Sequence, residues 1–157
     1  MTETTRMFNC TPQAVFDVLT DGWTYATWVV GAARIRAVDA DFPAVGAQIH
    51  HSVGAWPLLL SDRTEIEECE PPRLLQLRVA AWPAGAGRVR IVCDEEGERT
   101  RVTMFEESIS GPAKLIPQPI EGIALRLRNR ETLKRLAYLA ESGARSKNGP
   151  REPTRAD

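Results

Sequence analysis

The chain has 157 residues, 43% hydrophobic and 26% charged, with a formal net charge of -1, which is one domain's worth and enough to bury a core without metals or cross-links. With arginines interspersed among acids, that balance gives no overall basic field to attract nucleic acid or anionic lipid. No apolar run approaches membrane-spanning length and no apolar signal core opens the chain, so a cytoplasmic protein is expected.

Residues 2–9 are predicted as a first short strand. Thr11 followed by Pro12 starts a helix, with a capping hydroxyl and a proline at the first helical position. Ala14, Val15, Val18 and Leu19 give that helix an apolar stripe, and Asp21-Gly22 closes it. Trp23, Tyr25 and Trp28 crowd the next short segment. A second strand is expected over Ala33–Val38, and a turn over Pro43–Gly46. Gln48–Val53 reads as the third strand and Leu59–Cys69 as the fourth, stopped by Glu70-Pro71-Pro72. Strand five, Arg73–Ala81, sets Leu75, Leu77 and Val79 against Gln76 and Arg78. Pro83–Gly87 is predicted as a loop. Val89, Ile91 and Cys93 then share one face of strand six, and strand seven runs from Thr100 to Glu107.

From Pro119 to Glu141 the period changes to that of one long helix. Leu125, Asn129, Leu133, Leu136 and Ala140 form a core-facing seam. Ile120, Ile123, Ala124 and Leu127 make a shorter second stripe, which covers either the loop carrying the tryptophans or another subunit, the latter as a homodimer face through Ile120, Ile123 and Leu127. Residues 144–157, rich in Gly, Pro, Ser and charge, are predicted to be a disordered tail behind a single domain spanning 1–143.

The segment Thr11-Pro12-Gln13-Ala14-Val15-Phe16-Asp17-Val18-Leu19, with Trp28 after it, resembles the START-related SRPBCC superfamily. So do Val45-Gly46, Glu70-Pro71-Pro72-Arg73-Leu74 and Arg101-Val102-Thr103. Its bacterial members include polyketide cyclase/dehydrase-like and lipid-transport-like proteins. The resemblance covers about residues 3–142. Together with the strand pattern it implies an α+β helix-grip fold. In that fold a seven-stranded antiparallel sheet curves around a long C-terminal helix, with two short helices between strands one and two. The implied function is binding of a small apolar or aromatic molecule between sheet and helix. The alternatives are an aromatase/cyclase-like enzyme with a cavity acid or base, or an interaction module with a filled core.

Strand parity and the helical seam give the expected lining: Trp28, His51, Leu77, Ile91, Met104, Glu106, Asn129 and Leu133. His50 and His51 point to opposite faces of a regular strand and cannot chelate one metal. His51 shares the inner parity of Ile49 and Val53, as a cavity proton donor or as a hydrogen-bonded half-core histidine. Glu106 shares parity with Val102 and Met104, as an acid, base or anchor, or as a strand-end carboxylate in solvent. Asn129 either holds a ligand's polar end or bonds nearby backbone. Trp23, Trp28, Trp56 and Trp82 suit a pocket mouth that is part wet and part apolar, or plugs at the sheet's open ends. Cys10, Cys69 and Cys93 show no C-x-x-C spacing, and Cys93 reads as a small hydrophobe, so no metal and no cofactor is implied.

Overall fold

A computed structural model describes residues 1–55, 58–81, 85–111 and 118–148. Thr2–Phe8 forms β1, and the chain then turns into α1, Pro12–Leu19. The Thr11 hydroxyl accepts from the Ala14 amide at 3.4 Å and Pro12 occupies the first turn, so two of the orphan positions of the helix start are settled locally. Val15, Phe16 and Leu19 form the buried face of α1. A 3-10 turn, Gly22–Thr24, is capped by the Asp21 carboxylate and leads into α2, Tyr25–Trp28, whose buried residues are Tyr25 and Trp28.

The remaining strands are β2 Ala32–Val38, β3 Gln48–Ala55, β4 Leu58–Glu70, β5 Leu74–Ala81, β6 Gly85–Glu96 and β7 Arg99–Ser110. All pair antiparallel in one seven-stranded sheet of order β1-β7-β6-β5-β4-β3-β2. The sheet is therefore a meander from β2 to β7, with β1 added at the far edge beside β7. Helix α3, Gln118–Asn148, packs against β1, β7, α1 and α2. This is the helix-grip arrangement expected from the sequence. Phe8, Phe16, Ile66, Leu75, Ile91, Val102, Leu133 and Leu136 belong to one continuous buried cluster between sheet and helices. Fully burying one such side chain stabilises the fold by about 1.5–3 kcal/mol.

Two expectations need correction. Gly85–Gly87 are not a loop: they open β6 and pair with Ala81–Val79 of β5. Gly85 sits at φ +121°, and a Cβ there would collide with the Ser110 carbonyl of β7. A glycine inside a strand marks such a close backbone approach, and the register shifts between Ala86 and Gly87. The terminal helix also continues to Asn148, so residues 144–148 are helical rather than a tail. Ala144 extends the seam by one turn beyond Ala140 and packs on the core, which anchors that extra turn. Residues 149–157, Trp56, Trp82 and Pro83–Ala84 lie outside the described residues. Ile123 and Leu127 are 62% and 61% exposed on α3, and the Ile120 side chain lies outside what is described.

Candidate functional site

Between the first half of α3 and the concave face of the sheet lies a cavity of about 360 Å³. Leu77, Val79 and Ala80 of β5, Val89 of β6 and Met104 of β7 line it, with Val29–Ala32 behind α2. Its polar groups come from every side: His51 on β3, Asp62 on β4, Glu106 on β7, Tyr25 and Trp28 on α2, and Arg128, Asn129 and Thr132 on α3.

Of the residues expected to line the site, Trp28, His51, Leu77, Met104, Glu106 and Asn129 do so. Ile91 and Leu133 do not. Both are fully buried in the packed cluster. Parity gave them the correct face, but each sits one step too deep. Val89, two residues before Ile91, and Asn129, one turn before Leu133, are at the wall instead. Trp23 is 63% exposed and lies outside the lining set. Asp62, Tyr25, Arg128 and Thr132 were not anticipated. Asp62 had a signal, because it shares inner parity with Thr64 and Ile66, all three being buried. Arg128 had none, since its partner Glu106 is distant in sequence.

His51 and Asp62 are direct cross-strand partners in the β3–β4 ladder and so share a face. Arg36 of β2 reaches the His51 and Asp62 carbonyls at 3.4 Å, fixing the backbone beneath them. His51 Nε2 lies 3.0 Å from the Thr64 hydroxyl, which lies 2.9 Å from the Tyr25 hydroxyl. The Tyr25 ring also stacks against His51 at 5.3 Å and meets Trp28 edge-on at 5.4 Å. A hydroxyl donates once and accepts twice, so Thr64 can support either His51 tautomer. Burial pushes the His51 pKa down, only partly offset by Asp62, so the imidazole is neutral at pH 7. Burial pushes Tyr25 up to about 12, so it remains a phenol. The Cys93 thiol, buried behind the cavity in the core, is pushed up to about 12 and carries no thiolate chemistry.

On the opposite flank the Glu106 carboxylate is ion-paired through Oε1 with Arg128, whose side chain is 41% exposed. Arg128 also donates to Asn129 Oδ1 at a long 3.4 Å. Glu106 is thus an inward carboxylate already committed to a cation, whereas His51 has no such commitment. The Val30 amide donates to the Thr132 hydroxyl at 3.3 Å, tying the segment after α2 to α3 beside the cavity.

One pattern stands out among the described residues. The buried side-chain polar atoms without a hydrogen-bond partner are Trp28 Nε1, His51 Nδ1, Asp62 Oδ2, Glu106 Oε2, Asn129 Nδ2 and the Thr4 hydroxyl. All but the Thr4 hydroxyl belong to cavity-lining residues. An unpaired buried polar group costs about 1–3 kcal/mol, so folded proteins keep few of them. Five of the six therefore gather around one cavity. No group of three or more His, Cys, Asp or Glu residues among those described is arranged to hold a metal ion.

A family model described as polyketide cyclase / dehydrase and lipid transport matches residues 2–141. Among solved structures, protein NE0264 of Nitrosomonas europaea is similar at TM-score 0.70 and 16% identity, covering 94% of this chain and 96% of that one. Protein CV1439 of Chromobacterium violaceum is similar at TM-score 0.69 and 18% identity, covering 88% of this chain and 96% of that one. The di-domain ARO/CYC StfQ of the steffimycin biosynthetic pathway is similar at TM-score 0.65 and 14% identity. There the alignment covers 94% of this chain but 46% of StfQ, so this chain spans about half of that protein. At these identities the likeness shows the fold. No curated protein matches the sequence.

Proposed function

The chain belongs to the polyketide cyclase / dehydrase and lipid transport family, and we propose that it binds a small, largely aromatic molecule in the cavity between sheet and α3. The observation that carries this reading is the gathering of five of the six unpaired buried polar atoms found among the described residues at an otherwise apolar wall. An apolar enclosure with a few convergent polar groups is the usual make-up of a small-molecule site. The cavity's volume, about 360 Å³, lies at the lower end of such sites and suits a compact ring system better than a long acyl chain. The open space also argues against the filled-core interaction module. The test uses N-phenyl-1-naphthylamine, a neutral aromatic probe whose fluorescence rises in apolar surroundings. Saturable enhancement with the native protein, abolished in a Leu77→Trp variant that keeps its melting temperature, is the expected result. Failure to enhance, or enhancement unchanged by the plug, removes the reading.

A second reading has its own observation, the neutral His51 beside Asp62. In it, His51 accepts a proton from a carbon next to a ligand carbonyl, and the resulting imidazolium is stabilised by the Asp62 carboxylate. The imidazolium exchanges its proton with solvent and then returns one to the carbon, which restores neutral His51 and the ligand. Solvent-deuterium exchange into a bound aryl 1,3-diketone, followed by NMR and lost in His51→Gln, is the expected signature. Exchange at the uncatalysed rate would leave binding as the sole activity.

A further inference from the structure

Resting on the cavity-binding reading, we infer that the site selects ligands bearing hydrogen-bond donors, hydroxyl or N–H groups, on two flanks of an aromatic body, and rejects carboxylate-bearing amphiphiles.

The argument starts from which atoms lack partners. On one flank Asp62 Oδ1 accepts from the Arg63 amide at 2.8 Å, while Oδ2 has no partner among the described residues. On the other flank Glu106 Oε1 is held by Arg128, while Oε2 has no partner. An ionised carboxylate is acceptor-only, so each free oxygen calls for a donor. The strands that carry them, β4 and β7, are separated in the sheet by β5 and β6. The intervening strands contribute Leu77, Val79 and Val89, an apolar strip on which a ring system lies flat. Asp62 and Glu106 both line the same cavity, one on each flank of that strip.

The charge of the wall points the same way. Asp62 and Glu106 bring two negative charges, Arg128 brings one positive, and His51 is neutral, leaving the wall at -1. The only guanidinium in the lining set is already paired with Glu106. A ligand carboxylate would have to displace Glu106 from Arg128 and then leave two carboxylates buried near one cation. Like charges in a low-dielectric space cost far more than the same pair in water. A hydroxyl or N–H instead completes each free oxygen without adding negative charge. Charge-assisted hydrogen bonds of this kind are about twice as strong as neutral ones. The unpaired Trp28 Nε1 and Asn129 Nδ2 are donors, and they accommodate an ether or carbonyl oxygen on the same ligand. A fatty acid satisfies neither carboxylate.

The test compares three probes of one shape by isothermal titration calorimetry at pH 7: 2,6-dihydroxynaphthalene, its dimethyl ether and naphthalene-2,6-dicarboxylate. The diol is expected to bind at least tenfold more tightly than the ether, and the dicarboxylate more weakly than either. In Asp62→Asn/Glu106→Gln, where each free carboxylate oxygen gives way to an amide that also donates, the preference for the diol over the ether should shrink to about threefold or less. The wild-type comparison stands even if that double variant folds poorly. An ether that matches the diol on wild type, or a dicarboxylate that exceeds it, overturns the donor-selection inference while leaving cavity binding intact. Binding by none of the three, together with no response to N-phenyl-1-naphthylamine, overturns both.

Discussion

Asn129 and Leu133 lie one turn apart on the same seam of α3, both almost wholly buried, yet their replacements should act in opposite ways. Leu133 is 0% exposed within the packed cluster. Truncation to alanine removes its methyl groups and leaves a cavity, at a cost of about 2–5 kcal/mol. For a domain of this size that corresponds to a fall in melting temperature of roughly 4–20 °C. Asn129 is buried too, but its Nδ2 has no partner and its Oδ1 has only long contacts with Arg128. Replacing it with leucine removes a buried unpaired donor worth about 1–3 kcal/mol. It also improves helix propensity by a few tenths of a kcal/mol. The added methyls face the open cavity rather than packed side chains, so overpacking strain is small.

Asn129→Leu is therefore expected to be neutral or to stabilise by up to about 2 kcal/mol, raising the melting temperature by as much as roughly 8 °C. The same substitution should weaken probe binding at least tenfold, because it removes a donor from the wall and narrows the cavity. Leu133→Ala should do the reverse, with probe affinity changed by less than about threefold in the folded fraction at 20 °C. Differential scanning fluorimetry and probe titration of both variants decide it. If Asn129→Leu lost as much stability as Leu133→Ala, its amide would be a satisfied structural group. The assignment of this turn of α3 to the cavity would then fall.

The depressed His51 pKa makes a pH prediction. Folded His51 binds its proton at lower pH than in the unfolded chain, so its stabilising contribution is complete above about pH 6.5 and is lost as pH falls toward the folded value. Urea melts of wild type and His51→Gln across pH 5 to 8 should diverge on the acid side; parallel curves there would refute it. Arg128→Ala strips the cation from a Glu106 side chain that is 10% exposed. With Arg128 itself part-exposed, the loss should be about 1–3 kcal/mol, largely recovered in Arg128→Ala/Glu106→Gln. Additive losses in that double-mutant cycle would refute the pairing. Gly85→Ala puts a Cβ against the Ser110 carbonyl at a positive φ, so a loss above about 1 kcal/mol is expected in urea denaturation. An unchanged midpoint would mean that the β6–β7 approach is looser than described.

Face, rather than depth, was what the sequence carried. Alternation of Leu75, Leu77 and Val79 and the parity of His51 and Glu106 follow from the pleat, in which every second side chain is inward. The structure keeps all of these inward. Parity is blind to where along a strand packing gives way to open space. That boundary depends on how α3 crosses the sheet, which is why Ile91 and Leu133 were placed at the wall and belong to the core. Asp62 was legible by the same parity rule, and its charge obscured an inward position. The Glu106–Arg128 pair was not legible, because it joins a strand to a helix across the fold. The Gly85–Gly87 strand start was misread for a related reason. Local turn chemistry favours a loop there, and only pairing with β5 and the backbone of β7 overrides it.

The division of α3 into two halves carries the functional argument further. Its C-terminal half sends Leu133, Leu136, Ala137 and Ala140 into a packed cluster, where each lost methyl leaves an unfilled void. Its N-terminal half presents Arg128 and Asn129 to the cavity, and Leu125 of the same seam is only half-buried. A helix selected for stability alone would continue the apolar seam through position 129 and close the space. Retaining an amide there, opposite a carboxylate and an imidazole that also have unpaired atoms, keeps several destabilising groups in one place. Groups left unpaired in a fold are tolerated where their partners arrive with a ligand. The packed half therefore supplies the stability that the open half gives up, and substitutions along one helical stripe should change from structural to functional within a single turn.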